Sequence, residues 1–463
     1  MVFSSLPFLY FFLPAALLLG LTAPRKARNA VLLLLSLLFY FFGEPRFVPL
    51  LLFTAAAAWG CGLWAQKRRG CLPLLVICVL SLGQLAYFKY ADFLIGTVNG
   101  VFGAGLPLLR LALPIGISFY TFQAISYVAD VSAGRVTAAR NPIDFAAYLT
   151  FFPQLIAGPI VRYSDVQTAL GDRHVTLSGF SGGALRFCVG LGKKMLLANV
   201  LAEATADFAA AQTQTVLYTW LYALCNALMI YFDFSGYSDM AIGLGRMFGF
   251  DFPENFRHPF ASRSVAEFWR RWHITLGSWF RDYVYIPLGG SRCALWKQLR
   301  NLLVVWALTG LWHGASWTFV LWGLYFAALL ILERLFLAKW LARAPRWVAH
   351  LYVTLAVLVS FVLFSASSPA EALSQLGGLI GLSGTPLWDT ATLAALRQYG
   401  VVLLVSLLGA VPLVPLALQK LRALPHGDAV CAVLQPVAAL VLLVVSTAYL
   451  AAGSFNPFLY FRF

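Results

Sequence analysis

The strongest constraint in this chain is its succession of uncharged apolar runs, most of them near the ~20 residues that an α-helix needs to cross a bilayer. Short clusters of basic residues separate them. Inside hydrocarbon every backbone N–H and C=O must find a partner within the protein, so such runs fold as helices. The fold class that follows is an all-α polytopic membrane protein. Composition agrees: 61% of the residues are hydrophobic and 11% are charged, against roughly 25% charged in soluble domains. A net charge of +15 would in isolation suggest nucleic acid. The basic residues, however, sit in the loops between apolar runs, as cytoplasmic loops do beside a bilayer. The lipid bilayer, and no nucleic acid, is therefore the expected partner of this charge. The seven cysteines form no C-x-x-C pair, and most lie in or beside apolar runs, where a thiol behaves as a small hydrophobe. Neither a disulfide framework nor a zinc site is expected.

Residues Met1 to Pro24 carry no charge, and the cluster Arg25, Lys26, Arg28 follows them. A cleaved signal peptide has its positive residues first, so this segment is expected to remain as a first span with its N-terminus outside. Asn29–Gly43, Phe47–Gln66 and Cys71–Phe88 supply three more crossings. The loops Arg25–Arg28 and Lys67–Arg69 are assigned to the cytoplasm. At the other end, Arg334, Lys339, Arg343 and Arg346 form one basic cluster and Lys420 with Arg422 another, with Glu371, Asp389 and Arg397 between them. That alternation puts the C-terminus outside too, with spans at Trp347–Ser368, Tyr399–Gln419 and Ala432–Ala452. About eleven spans are expected, in a single membrane domain over residues 1–463: N-terminal spans to 130, a core over 131–335 and C-terminal spans over 336–463.

The core is less regular. Leu111–Ala129 reads as a span, whereas Phe145–Val161 is interrupted by Pro153, Gly158 and Pro159, and Leu177–Leu201 carries Arg186, Lys193 and Lys194. Interruptions of this kind are tolerated where backbone lines a cavity enclosed by protein, which places a cavity here. Phe208–Phe232 predicts a span that ends in a turn and helix N-cap at Asp233–Asp239. Asp233 and Asp239 lack the third convergent ligand nearby that a transition metal needs, so no metal site is expected.

Of the six histidines, His174, His258, His350 and His426 sit in polar loops or near an interface. His313 differs, because no other Asp, Glu, Lys, Arg or His lies between Arg300 and Glu333. If the basic residues before Asn301 are cytoplasmic, a helix from there carries His313 about 20 Å inward at 1.5 Å per residue. Gly314 offers a break, so a re-entrant hairpin and a kinked long helix both fit. A polar group at that depth marks a functional site or is satisfied by a neighbouring carbonyl in helix packing. His273 lies in Ser264–Tyr285, whose apolar residues fall on one arc of a helix and whose charges fall opposite, the pattern of an interfacial helix. His273 stands just beyond the edge of that arc, and on the pattern alone it is a boundary residue.

Four stretches carry a likeness: PIGISFYTFQAISY (Pro114–Tyr127), FPQLIAGP (Phe152–Pro159), the run from Phe232 to Trp272 continuing as HITLGSWFRDYVYIPLGG, and GLWHGASW (Gly310–Trp317). The ending NPFLYFRF adds to them. With them the chain resembles the membrane-bound O-acyltransferase family (MBOAT), in particular its bacterial alginate O-acetylation branch, over almost its whole length. The resemblance implies a helical bundle with re-entrant and interfacial amphipathic helices around a central tunnel, in a bacterial inner membrane. It also implies an O-acyltransferase in which the family's invariant His maps onto His313 and a second characteristic His onto His273. The expected reaction relays an acetyl group from a cytoplasmic thioester, acetyl-CoA or another acyl carrier, with no bound cofactor. Its expected recipient is an esterase-like extracytoplasmic partner that acetylates a polysaccharide. A neighbouring branch moves D-alanine toward teichoic acid. A secondary transporter or flippase for lipid-linked sugars is the competing class. His313 is the expected general base, since neutral imidazole suits proton abstraction near pH 7; His273 orients the acyl group, donates to the oxyanion or lines the donor entrance. Trp312, Arg270, Arg271 and Arg281 are the candidate substrate contacts. Packing is the competing role for the tryptophan, and anionic headgroups are the competing partners of the arginines and of Lys193 and Lys194.

Overall fold

A computed structural model of the chain describes residues 2–68, 70–211, 214–382, 384–453 and 458. Arg69 and, apart from Phe458, the closing NPFLYFRF stretch lie outside the described residues. Every regular element among the described residues is helical. Among the described residues seven helices are long and apolar enough to cross a membrane, at 45–67, 72–102, 216–247, 317–343, 346–365, 390–410 and 427–451, and two shorter apolar helices, Phe8–Thr22 and Arg28–Phe41, precede them. The chain is a multi-pass membrane protein.

The described residues form two compact units, one of Met1–Phe187 with Ser238–Glu254 and one of Cys188–Tyr237 with Asn255–Phe463. In the first, Ile117–Ser132 is buried along most of its length. Its helix starts six residues later than the sequence suggested, after Gly116, whose φ is +78° and whose added Cβ would lie 2.4 Å from the Leu155 carbonyl oxygen. Only glycine fits that close approach in a left-handed conformation. Phe145–Val161 is interrupted as its prolines predict: Pro142–Thr150 and Phe152–Leu155 are short helices, and residues 151–161 are buried throughout.

The second unit contains both histidines of interest. The helices referred to below are α1 (Leu177–Gly192), α2 (Val216–Met247), α3 (Val265–Arg271), α4 (Ile274–Phe280), α5 (Leu295–His313), α6 (Trp317–Leu332) and α7 (Arg346–Ser365). Three expectations are corrected. Asp233–Asp239 is not a turn: α2 runs straight through it. Asp233 is tied to Lys194 at 2.6 Å and Asp239 to Arg186 at 2.8 Å, while Gly236 lets α2 come so close to the chain at Gly190 that a Cβ would sit 2.8 Å from its carbonyl oxygen. Paired charges and a small residue suit helix interiors in a membrane better than the turn that the same residues favour in water. Ser264–Tyr285 is not one amphipathic helix, because it breaks at Trp272 and His273. The span predicted for Tyr399–Gln419 lies instead at Thr390–Ala410, started by Asp389, whose carboxylate accepts the Thr392 N–H at 2.7 Å, and stopped before Pro412.

Candidate active site

His313 is the last residue of α5. Gly314 and Ala315 turn the chain, and Ser316 caps α6 through its hydroxyl, which accepts the Thr318 N–H. Of the two geometries open from sequence, the hairpin is the one observed, and glycine is what allows it. A Cβ on Gly310 would lie 2.4 Å from the Phe319 carbonyl oxygen and one on Gly323 2.3 Å from that of Trp306, so the two helices touch backbone to backbone. Gly314 has an ordinary extended φ of −171°, yet a Cβ there would meet the Phe319 ring at 2.1 Å. The buried His313 ring is surrounded by aromatics, with centroids 5.0 Å from Trp312, 4.9 Å from Trp322 and 5.4 Å from Phe364.

His273 is held by different means. The helices on either side of it are seven residues each, too short to cross a bilayer. His273 takes φ +45°, ψ 52° between them, a left-handed conformation that is uncommon for a residue with a Cβ. Backbone bonds fix the break: Arg257 N–H to the Arg271 carbonyl at 2.9 Å and Ile274 N–H to the Asn255 carbonyl at 3.0 Å. The buried carboxylate of Glu333 accepts the N–H groups of Val265 at 2.6 Å and Ala266 at 3.0 Å, anchoring the start of α3. His273 is 1% exposed, so it is no boundary residue. Its Nδ1 lies 3.1 Å from Asn255 Oδ1, an oxygen that also accepts the Thr275 hydroxyl at 2.9 Å. Burial, together with the neighbouring His313, pushes this imidazole well below its ordinary value, so it is neutral at pH 7.

Trp312 joins the two histidines, its ring 5.7 Å from His273 and 5.0 Å from His313. Phe234 of α2 closes on His273 at 4.7 Å. A cavity of about 760 Å³ lies alongside, lined by Lys194, Asp233, Ser316, Phe319, Phe364 and Glu371 among others. Phe364 thus has a ring contact with His313 and also lines the cavity.

The arginines are placed apart from this cluster. Arg271 pairs with Glu267 at 2.7 Å and Arg281 with Asp282 at 2.7 Å, Arg270 is exposed, and none of the three hydrogen-bonds to either imidazole. Lys194 is buried in its pair with Asp233. Sequence reasoning missed Asn255, Glu333 and Phe364. Their signal is tertiary: Asn255 lies 18 residues from His273 and Glu333 68 residues from Val265.

A polytopic helical protein with two buried histidines converging on one tryptophan defines a class, and the family comparison names it. Residues 137–368 match the MBOAT model, the membrane-bound O-acyltransferase family, and the chain belongs to that family. The protein is an O-acyltransferase. Among its relatives, the probable alginate O-acetylase AlgI of Azotobacter vinelandii is 38% identical across the whole of both chains, as is that of Pseudomonas putida. The peptidoglycan O-acetyltransferase of Helicobacter pylori is 33% identical over 84% of this chain and 81% of its own.

Proposed function

We propose that this protein takes an acetyl group from a cytoplasmic thioester such as acetyl-CoA and relays it across a bacterial inner membrane, with both termini outside, for O-acetylation of an extracytoplasmic polysaccharide. The observation that carries the reading is the convergence of His273, Trp312 and His313 beside a cavity of about 760 Å³. The names of the acetylating relatives supply the acetyl group and the polymer class.

The chemistry at His313 is one acyl transfer. An acceptor hydroxyl gives its proton to the His313 imidazole as its oxygen bonds to the thioester carbonyl carbon. The tetrahedral intermediate then collapses, the C–S bond breaks, and the imidazolium returns the proton to the leaving thiolate. A positioned base contributes about 10²- to 10⁴-fold to such a step. His313 is buried among aromatic rings, and shielding from bulk water favours the acceptor over hydrolysis. In a second transfer an extracytoplasmic acetyltransferase partner breaks the new C–O ester bond, joins the acetyl carbonyl carbon to a polysaccharide hydroxyl oxygen and returns that hydroxyl's proton to the first acceptor oxygen, so only a small neutral group crosses the membrane.

Proteoliposomes loaded with the purified protein test sidedness. Labelled acetyl-CoA on the face bearing the basic loops should deliver label to an acceptor on the other face, and label appearing with donor on either face alike would refute the relay.

A further inference from the structure

The three roles open to His273 are separated by the hydrogen bonds on its Nδ1 side. Asn255 is fully buried, and its Oδ1 receives the Thr275 backbone N–H at 3.4 Å as well as the Thr275 hydroxyl at 2.9 Å. A backbone N–H can only donate, so the atom facing it is the amide oxygen and not the amide nitrogen. The same oxygen faces His273 Nδ1 at 3.1 Å. An oxygen already serving as acceptor needs a donor there, and the proton of the neutral ring must therefore reside on Nδ1. The lone pair is left on Nε2, at the opposite edge. Among the described residues nothing hydrogen-bonds Nε2, although the atom is buried, and the ring is within 5.7 Å of Trp312. A buried acceptor without a partner costs free energy unless a ligand satisfies it.

We propose that Asn255 is a positioning residue for the acyl transfer: it locks His273 in the Nδ1–H tautomer, so that Nε2 accepts a hydrogen bond from the bound reactants instead of donating one to the oxyanion. The proposal rests on the reading of this cluster as the acyl-transfer site. It converts His273 from a residue of three alternative roles into a hydrogen-bond acceptor, and it explains why the backbone at His273 is held in a left-handed conformation: φ +45° turns Nδ1 to Asn255 and leaves the other edge for substrate. Strained backbone of this kind is kept where a site over-determines it.

The groups that face His273 are Phe234 from α2, Trp312 and His313 from α5, and Asn255 and Thr275 beside it. His313 is the titratable one among them. A carboxylate in place of the Asn255 amide would still accept from Nδ1 but would stabilise the imidazolium, which a purely structural role for Asn255 does not predict.

Two measurements on the full-length protein decide the matter. The first is ¹⁵N NMR of protein labelled at histidine, with the His273 signals assigned by their loss in His273→Gln. A protonated Nδ1 and a lone pair on Nε2 are expected at pH 7.5; the Nε2–H tautomer would overturn the proposal. The second is the pH profile of thiol release from acetyl-CoA. Asn255→Asp should move the acid limb up by about one pH unit or more with kcat on the plateau within about tenfold, and Asn255→Ala should lower kcat about 10- to 100-fold with KM little changed. An Asn255→Asp acid limb that coincides with wild type would overturn the proposal. If the wild-type protein releases no thiol from acetyl-CoA, the donor reading falls, whereas the NMR measurement still decides the tautomer.

Discussion

The two histidines sit on the same tryptophan but are held by opposite kinds of force. His313 ends a regular helix and is fixed by shape: three aromatic rings within 5.4 Å and a hairpin closed through Gly310 and Gly323. His273 interrupts its helix and is fixed by polar groups: Asn255 on the ring, Thr275 on Asn255, and backbone bonds and Glu333 on the flanking helices. Shape fixes where a ring lies without dictating which nitrogen carries the proton, whereas a directional hydrogen bond dictates that proton. The contrast agrees with the proposed division of labour, proton exchange at His313 and a fixed tautomer at His273.

The largest effect that bears on this division is loss of the proposed base. His313→Ala should lower acyl transfer by about 10²- to 10⁴-fold while membrane expression and the detergent melting curve stay close to wild type, and His273→Ala should cost less. Equal losses, or undiminished transfer in His313→Ala, would break the assignment.

Next in size comes the hairpin. Gly323→Leu drives a side chain into the Trp306 carbonyl and should destabilise by about 1–3 kcal/mol or more, as overpacking does. Gly277→Ala on the His273 side meets nothing nearer than the Trp269 carbonyl at 3.8 Å and should leave melting unchanged. Similar melting shifts for the two would remove the contrast between a shape-limited and a hydrogen-bonded histidine.

The smallest effect is a pH dependence of stability. The folded-state value of His273 lies below the unfolded one of about 6.5, so the unfolded chain binds more protons. Stability contributed by the neutral ring is present above the unfolded value and is lost as pH falls below it. Melting temperature in detergent should therefore drop between about pH 7 and 5, and His273→Phe should flatten that part of the curve. A wild-type curve that His273→Phe reproduces would place the titration elsewhere.

Hydropathy made the membrane class and most spans legible, since crossing hydrocarbon is a local demand on about 20 consecutive residues. The same logic singled out His313, a lone basic side chain in a long apolar stretch. It failed where partners are distant. The Asp233–Asp239 segment has turn residues, and its pairs with Lys194 and Arg186 and the close approach at Gly236 belong to a helix instead. The arc of Ser264–Tyr285 has helical periodicity, yet it breaks at His273, where Asn255 and Arg257 clasp the backbone.

The sequence by itself therefore determined the solvent in which this chain folds, the class of its helices and the isolation of one histidine in a long apolar stretch, because apolar runs and charge clusters act over a single turn or span. Tertiary structure decided what surrounds that histidine, how the second one is turned and where the proton on its ring resides. Those outcomes depend on hydrogen bonds and ring contacts between residues far apart in the chain, and no local pattern encodes the geometry of a contact whose two halves meet only after folding.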